Sequence, residues 1–202
     1  MRSLIDRELV VATHNAGKLA EIAALLAPFR VTCRGAAELG LAEPAETESS
    51  FVGNARIKAR AARDATGLPA LADDSGIEVE ALGGAPGVHT ADWAETPSGR
   101  DFMAAMHRTW QALTDARAAR PWRARFCCTL VLAWPDGAEA VFDGVMPGEL
   151  VWPVRGELGH GYDPMFQPEG HDRTFAELGF AEKNRISHRA AAFDKLIAAC
   201  FT

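Results

Sequence analysis

No apolar run in this sequence approaches the ~20 residues that a membrane-spanning helix needs. The segment Met1-Arg2-Ser3-Leu4 meets charge at Asp6, Arg7 and Glu8, so it lacks the apolar core of a secretory signal. These two absences make the cytoplasm the expected compartment and leave no membrane partner expected. Positive charge is not in excess either: 21 Lys and Arg stand against 27 Asp and Glu, a net charge of −6. A nucleic-acid-binding module ordinarily carries a basic footprint, so no nucleic-acid partner is expected. A local cluster of Lys and Arg on an acidic protein can still hold a small anion. No CxxC pair occurs among the 4 cysteines, Cys33, Cys127, Cys128 and Cys200, and no His stands at zinc-ligand spacing from them. They read as buried reduced thiols, with Cys127 and Cys128 facing opposite ways on a strand. Internal repeats, low-complexity tracts and composition breaks that would mark a linker are also missing.

What is present is enough apolar material for a sizeable core. With 202 residues and 48% hydrophobic content, the chain is expected to form one domain over 1–202, with room for two lobes. Leu9 to Ala12 reads as a short buried strand, and Leu19, Ile22, Ala23, Leu25 and Leu26 recur at helical spacing before Pro28. A short apolar stretch from Val31 to Cys33 precedes an acidic loop with Glu43, Glu46 and Glu48. Ser49 or Ser50 can cap a helix from Phe51 to Thr66 that Gly67 stops. Ala70-Leu71-Ala72 and Ile77-Glu78-Val79 read as two further short strands. After a tight loop at Gly83, Gly84, Pro86 and Gly87, Ser98 is expected to begin a helix carrying Phe102, Met106, Trp110 and Leu113. Arg117 to Arg125 reads as a basic connection.

Phe126 to Trp134 is the clearest strand; Pro135-Asp136-Gly137 turns it back into Ala138 to Phe142, and another extended stretch runs from Val145 to Val154. Thr174 to Glu177 fits a capping box, and Ser187 can cap a last helix with Ala191, Phe193, Leu196 and Ile197 inward. Alternating strands and helices followed by an antiparallel meander imply a mixed α/β fold with a partly antiparallel sheet and flanking helices.

Five segments could carry chemistry. Thr13-His14-Asn15-Ala16-Gly17-Lys18 lies between a strand and a helix, where N–H groups, the helix dipole and a lysine suit phosphate. It reads equally as a capped helix start with Lys18 in solvent. Leu71-Ala72-Asp73-Asp74-Ser75-Gly76 puts adjacent carboxylates at the end of a buried strand, able to hold a hard cation or to deprotonate water, or else to make an Asp-rich turn. The acidic loop Glu43 to Glu48 is a solvated loop unless a metal on Asp74 draws in a second carboxylate. Gly159-His160-Gly161-Tyr162-Asp163-Pro164 offers a ring between glycines for stacking on a base, or an ordinary turn with Tyr162 in the core. Glu182 to Arg189 gathers Lys183, Ser187, His188 and Arg189, donors for a phosphate or a carbonyl, or a solvated helix start.

Together and in this order, these segments resemble the inosine triphosphate pyrophosphatase family, the dITP/XTP pyrophosphatases, from about Leu9 to Ala199. Leu82-Gly83-Gly84-Ala85-Pro86-Gly87 and Ile186-Ser187-His188-Arg189 add to the likeness. The resemblance implies a two-lobed α/β fold around a central cleft, a homodimer, and Mg²⁺-dependent hydrolysis of 6-oxo purine nucleoside triphosphates to monophosphate and pyrophosphate. It implies Asp74 as proton acceptor and metal ligand, and Glu46 as second metal carboxylate. Substrate binding falls to Thr13, His14, Asn15, Ala16, Gly17, Lys18 and Ser75, to the loop residues His160, Gly161, Tyr162 and Asp163, and to Lys183, His188 and Arg189. Two positions depart from the pattern. His160 stands where relatives often have Phe, and Gly53 where they usually have Glu. A Maf-like pyrophosphatase with other base preferences and a non-hydrolysing nucleotide-binding regulator are the rival readings. The Gly-Tyr-Asp-Pro loop and the His-Arg ending speak against the first; Asp74, Lys18 and Glu46 speak against the second.

Overall fold

The computed structural model describes Leu4 and residues 8–201. The strands are β1 Glu8–Val11, β2 Thr32–Gly35, β3 Ala70–Val79, β4 Pro86–Gly87, β5 Glu95–Thr96, β6 Gly99–Arg100, β7 Trp122–Ala133, β8 Glu139–Leu150 and β9 Phe166–Pro168. The helices are α1 Ala16–Leu26, α2 Phe51–Thr66, α3 Phe102–Asp115, α4 Phe180–Ile186 and α5 His188–Cys200. The main sheet has the order β2-β1-β3-β7-β8-β9, with β4 beside β3, while β5 and β6 form a separate hairpin. Pairing is parallel at β1–β2 and β1–β3 and antiparallel at β3–β4 and β8–β9. The expected mixed, partly antiparallel α/β fold is therefore what the chain forms. It divides into two compact units: Met1–Asp74 with Cys128–Asp143 and Ala192–Thr202, and Ser75–Cys127 with Gly144–Ala191.

In the first unit, strand alternation assigns each helix its face. Leu9, Val11 and Leu71 pack with Ile22 and Leu26 of α1 and with Phe193 and Leu196 of α5. Their neighbours in sequence, Val10, Ala70 and Ala72, point the other way and meet Ala55, Ala59 and Ala62 of α2. The small residues of α2 let its backbone lie close to the sheet. Ser50 caps this helix, its Oγ accepting the Gly53 N–H at 3.2 Å, and Gly67 ends it at φ 67°, a left-handed conformation that only glycine adopts freely.

In the second unit, Ile77, Val79, Trp122, Ala124, Phe126, Leu150 and Phe166 form the core with Ala105, Met106 and Leu113 of α3. Residues of opposite parity, such as Glu78, Arg123, Arg125 and Glu149, line an open groove on the other face. One covered face and one wet face is usual for antiparallel sheet.

Several expectations need correction. The two short strands at 70–72 and 77–79 are one ten-residue strand, so Asp73 and Asp74 stand in its middle and not at its end. Ser98 belongs to the β5–β6 hairpin; the cap of α3 is Asp101, whose Oδ1 accepts the N–H groups of Met103 (2.8 Å) and Ala104 (3.1 Å). The basic connection ends at Pro121, since β7 starts at Trp122 with Arg123 and Arg125 on its exposed side. The stretches at 138–142 and 145–154 merge into β8 up to Leu150. The motif Glu182 to Arg189 spans two helices, because Ser187 has extended backbone (ψ 156°) between α4 and α5. On α5 the buried residues include Ala192, Phe193 and Leu196, with Ala191 and Ile197 half-buried. The reading of the thiols agrees with three buried cysteines and no disulfide among the described residues; Cys33 is half-buried.

At the outer edge of the first unit, Arg56 (3.0 Å) and Arg60 (2.5 Å) of α2 both donate to the carboxylate of Glu139 at the start of β8. The hydrogen bond from Arg60, with the charges of both arginines, holds Glu139 below the usual carboxylate range against the opposing effect of burial. A carboxylate held low in the folded state contributes stability above its ordinary range and loses it as pH falls through the range. Glu139→Gln is therefore expected to destabilise the protein by about 1 kcal/mol at neutral pH. Unfolding curves should show that gap shrinking on acidification and with added salt; a constant gap would show that packing, not charge, is responsible.

Candidate active site

Adjacent residues on a strand face opposite sides, so Asp73 and Asp74 cannot share one face of β3. Asp73 follows Leu71 towards α1, and Asp74 follows Ala72 towards α2. Both are buried. A carboxylate in such a place needs a cation or several hydrogen bonds, and each helix supplies a lysine. Lys18 of α1 reaches Asp73 Oδ2 at 2.9 Å. Lys58 of α2 reaches Asp74 Oδ1 at 3.3 Å and Glu46 Oε1 of the acidic loop at 2.6 Å.

Asp74 is incompletely satisfied. Its Oδ2 is buried and, among the described residues, accepts no hydrogen bond. Burial pushes its pKa up to about 6; the charge and hydrogen bond of Lys58 oppose the rise, and the nearby Glu46 and Asp73 add to it. For Lys58, burial alone would lower the pKa, but the carboxylates of Asp74, Asp73 and Glu46 outweigh it, and the net direction is up. Lys58 thus stays an ammonium with two carboxylates on it.

The turn before α1 is built by Asn15. Its Oδ1 accepts the N–H groups of Gly17 (2.9 Å) and Lys18 (3.1 Å), and Thr13 Oγ1 accepts the N–H of Asn15 at 3.2 Å. Two donors at this helix start are therefore already engaged by the cap. His14 turns to the acidic loop, where its Nε2–H donates to Leu41 O at 2.8 Å. That loop, without regular structure from Leu41 to Glu48, is held at its far end by buried Asn54, whose Oδ1 accepts the Glu48 N–H at 3.0 Å. A Cβ at Gly53 would lie 2.5 Å from Glu48 Cβ and 2.7 Å from its Cγ. The stem of Glu48 therefore fills the space that a side chain at Gly53 would need.

In the second unit the loop from Gly159 folds around another buried carboxylate. Asp163 accepts the His160 N–H at 2.8 Å on Oδ2, and the same oxygen receives Lys183 Nζ from α4. The glycines at 159 (φ 78°) and 161 (φ 68°) hold left-handed conformations. His160 is exposed, whereas the ring of Tyr162 is 1% exposed and packed in the core. The side chain of Tyr162 is therefore as in the alternative weighed for this motif, an aromatic packed in the core. Ser187 Oγ accepts the Ala190 N–H at 3.1 Å to start α5. Buried His188 stacks on Phe126, with centroids 4.9 Å apart and planes at 12°. Arg189 is half-buried next to it, and Ser75, after Asp74 on β3, is half-buried too.

Of the residues expected to serve a metal, Glu46 and Asp74 are brought together on one ammonium. Among the described residues no three His, Cys, Asp or Glu side chains converge as a complete metal cage. Mg²⁺ does not require one, since it is commonly held by one or two carboxylates with substrate phosphates and water. The orphan Oδ2 of Asp74 and a second carboxylate already sharing a cation with it fit such an ion. Lys58 was not singled out from the sequence.

The profile of the Ham1 family matches residues 9–199. A relative from Ruegeria pomeroyi named dITP/XTP pyrophosphatase is 64% identical, over 96% of this chain and 95% of the relative. One of the same name from Agrobacterium fabrum is 50% identical over 99% of each. Among solved structures, a HAM1 protein from Coxiella burnetii superposes with a TM-score of 0.89 at 39% identity, covering 95% of this chain and 97% of the other. A structure described as nucleoside-triphosphatase / dITP/XTP pyrophosphatase from Mycobacterium abscessus has a TM-score of 0.78 at 37% identity, with 94% and 98% covered.

The raised pKa of Asp74 has a consequence for stability. Below the ordinary carboxylate range both folded and unfolded chains are protonated there, and the group contributes nothing. As pH rises towards about 6, the unfolded chain ionises first and folded stability falls. Above that, the full penalty stands, up to roughly 3 kcal/mol. In the absence of divalent cations, Asp74→Asn is expected to unfold at higher temperature than the wild type at pH 8 and to lose that advantage near pH 4. Thermal melts in chelator at the two pH values decide; a wild type more stable at pH 8 would show that Asp74 is better solvated than its burial implies.

Proposed function

The chain belongs to the Ham1 family, and on that premise we propose that it hydrolyses 6-oxo purine nucleoside triphosphates, ITP, dITP and XTP, to the monophosphate and pyrophosphate. The observation that carries this reading is Asp74, a buried carboxylate with one oxygen left without a hydrogen bond, an adjacent lysine and a pKa raised to about 6. A base with a pKa near the working pH accepts a proton from water efficiently. In this reading Asp74 takes the proton of the water that attacks the α-phosphorus. The P–O bond to the leaving pyrophosphate breaks as the new bond to the water oxygen forms.

Glu46 and Asp74 would hold Mg²⁺, which when bound neutralises phosphate oxygens and lowers the pKa of water. Lys18 and Lys58 oppose negative charge on the triphosphate and on the departing pyrophosphate. The turn Thr13 to Lys18 and Ser75 complete the phosphate grip. His160 offers a flat, polar face to the base, and Asp163, held by Lys183, fixes the loop that carries it. His188 and Arg189 supply donors for the purine O6. Arg189 is always protonated and can only donate. The 6-amino group of adenine would meet it donor to donor, and a site built around a hydrogen bond can reject such a mismatch by ~10⁴-fold. In the same reading the enzyme works as a cytoplasmic homodimer. Among the described residues no helix is long and apolar enough to cross a membrane.

Steady-state pyrophosphate release from ITP, XTP, GTP and ATP at one Mg²⁺ concentration tests the substrate. ITP or XTP is expected to exceed ATP by at least ~100-fold in kcat/KM, roughly 2.7 kcal/mol. GTP also has a 6-oxo group, and discrimination against it is expected to be weaker. Equal turnover of ATP and ITP would make the protein a general nucleotide pyrophosphatase. For the chemistry, Asp74→Asn is expected to leave less than about a tenth of wild-type kcat, and excess EDTA to abolish activity. A folded mutant above that level, or full activity in chelator, would remove Asp74 or the metal from the mechanism.

A further inference from the structure

Helix α3 buries Ala105, Met106, Thr109 and Leu113. Three of the four suit an apolar face; Thr109, fully buried, does not. Threonine is a weak helix former whose hydroxyl must find a partner when buried, and valine would fill the same volume without that demand. The hydroxyl donates back to Ala105 O at 3.0 Å, as buried helical threonines often do. That bond alone would not require a threonine. Its second contact is with Tyr162, the 1 tyrosine of the chain, whose hydroxyl lies 3.0 Å from Thr109 Oγ1. The phenol also lies 3.2 Å from Ala105 O, so with the Thr109 proton given to that carbonyl the single phenol proton is shared between Thr109 Oγ1 and Ala105 O. Two hydroxyl protons and three oxygens thus form one closed buried group, and burial raises the pKa of the phenol to about 12. The Tyr162 ring meets Phe102 of the same helix edge-on, with centroids 6.4 Å apart.

Tyr162 stands inside the loop that carries His160 and Asp163. On its two sides are Gly161, at φ 68°, and Asp163, which gathers the His160 N–H and Lys183. A loop with glycines at 159 and 161 has little stiffness of its own. Its deep anchor is the Tyr162 hydroxyl in the polar niche on α3.

We infer that Thr109 is a positioning residue for base selection, acting through Tyr162 to set where the loop holds His160 and Asp163. This rests on the reading of that loop as the base-recognition loop. Tyr162, with its ring in the core, serves as the loop's anchor and not as a stacking surface. If the niche loses its hydroxyl, the loop can settle in more than one way, and discrimination between bases falls more than turnover of the preferred one.

The test uses full-length Thr109→Val, Thr109→Ser and Tyr162→Phe enzymes, with kcat and KM for ITP and for ATP and a thermal melt of each. Thr109→Val, which preserves shape, is expected to lower the ITP:ATP ratio of kcat/KM about tenfold, the worth of one buried hydrogen bond. Thr109→Ser keeps the hydroxyl and is expected to retain the ratio; Tyr162→Phe should follow Thr109→Val. A purely structural role would lower the melting temperature and reduce turnover of both nucleotides alike, leaving the ratio unchanged, and that result overturns the inference. So would a Ser variant as unselective as the Val variant. A wild-type enzyme without preference for ITP would overturn the substrate assignment instead; a selective wild type with an equally selective Thr109→Val overturns only the role of Thr109.

Discussion

Two adjacent carboxylates in the middle of a buried strand govern the first unit. Because side chains alternate along β3, Asp73 and Asp74 must face different helices, and each needs a cation from the helix it faces. Lys18 and Lys58 follow from that requirement. So does the care with which the surrounding backbone is held: Asn15 fixes the turn before Lys18, and Asn54, one turn before Lys58, fixes the end of the loop that brings Glu46 to the same ammonium. The arrangement is asymmetric. Asp73 has a close ion pair, while Asp74 has a longer one and an oxygen with no hydrogen bond. That asymmetry sets a carboxylate held close to its lysine beside one whose proton affinity is raised. A buried carboxylate with raised proton affinity is what acid–base chemistry needs. The cost in folding stability falls on Asp74, as is common for functional groups in native proteins.

The second unit repeats the device with different parts. Asp163 is buried, paired with a lysine, and accepts a backbone N–H of its own loop. Here the lysine comes from α4, a helix too short to be stable alone and separated from α5 by one extended residue, Ser187. The break allows Lys183 and His188, close in sequence, to serve different neighbours: Lys183 the loop carboxylate, His188 the face of Phe126.

Local signals gave reliable boundaries where the chain satisfies itself. Ser50 and Gly67 bound α2 as expected, and Thr174 with Glu177 forms the capping box. The family blocks also named Lys18 and Lys183, each of which meets a buried carboxylate, but not Lys58, which meets Asp74. What was not legible depended on partners distant in sequence. Asp73-Asp74-Ser75-Gly76 has the composition of a turn, yet it continues a strand, because lysines 55 and 16 residues away meet the two carboxylates. Ser98 looked like a cap because it precedes a helical pattern, but Asp101 is closer to the first turn and binds two of its N–H groups. Lys58 was not singled out among the basic residues of α2, which also carries Arg56, Arg60 and Arg63. A signal was available: with Ala55, Ala59 and Ala62 it lies on the helix face that the small residues mark as buried, and a lysine there needs an acidic partner.

The pairing of lysines with buried carboxylates also explains how a chain of net charge −6 can be suited to a polyanion. Net charge describes the far field, whereas a ligand meets individual groups at short range. Lys18, Lys58 and Lys183 are each held by an acid within the fold, so their side chains are ordered before any anion arrives. A flexible surface lysine must lose rotamer freedom on binding; these have lost it on folding. The carboxylates therefore do two things at once. They repel a polyanion in the mean, which an acidic protein can tolerate, and they fix the ammonium groups in place. Removing an acid such as Asp73 would leave Lys18 formally more positive but no longer fixed. For the proposed discrimination between purines, the fixed geometry matters more than the additional charge.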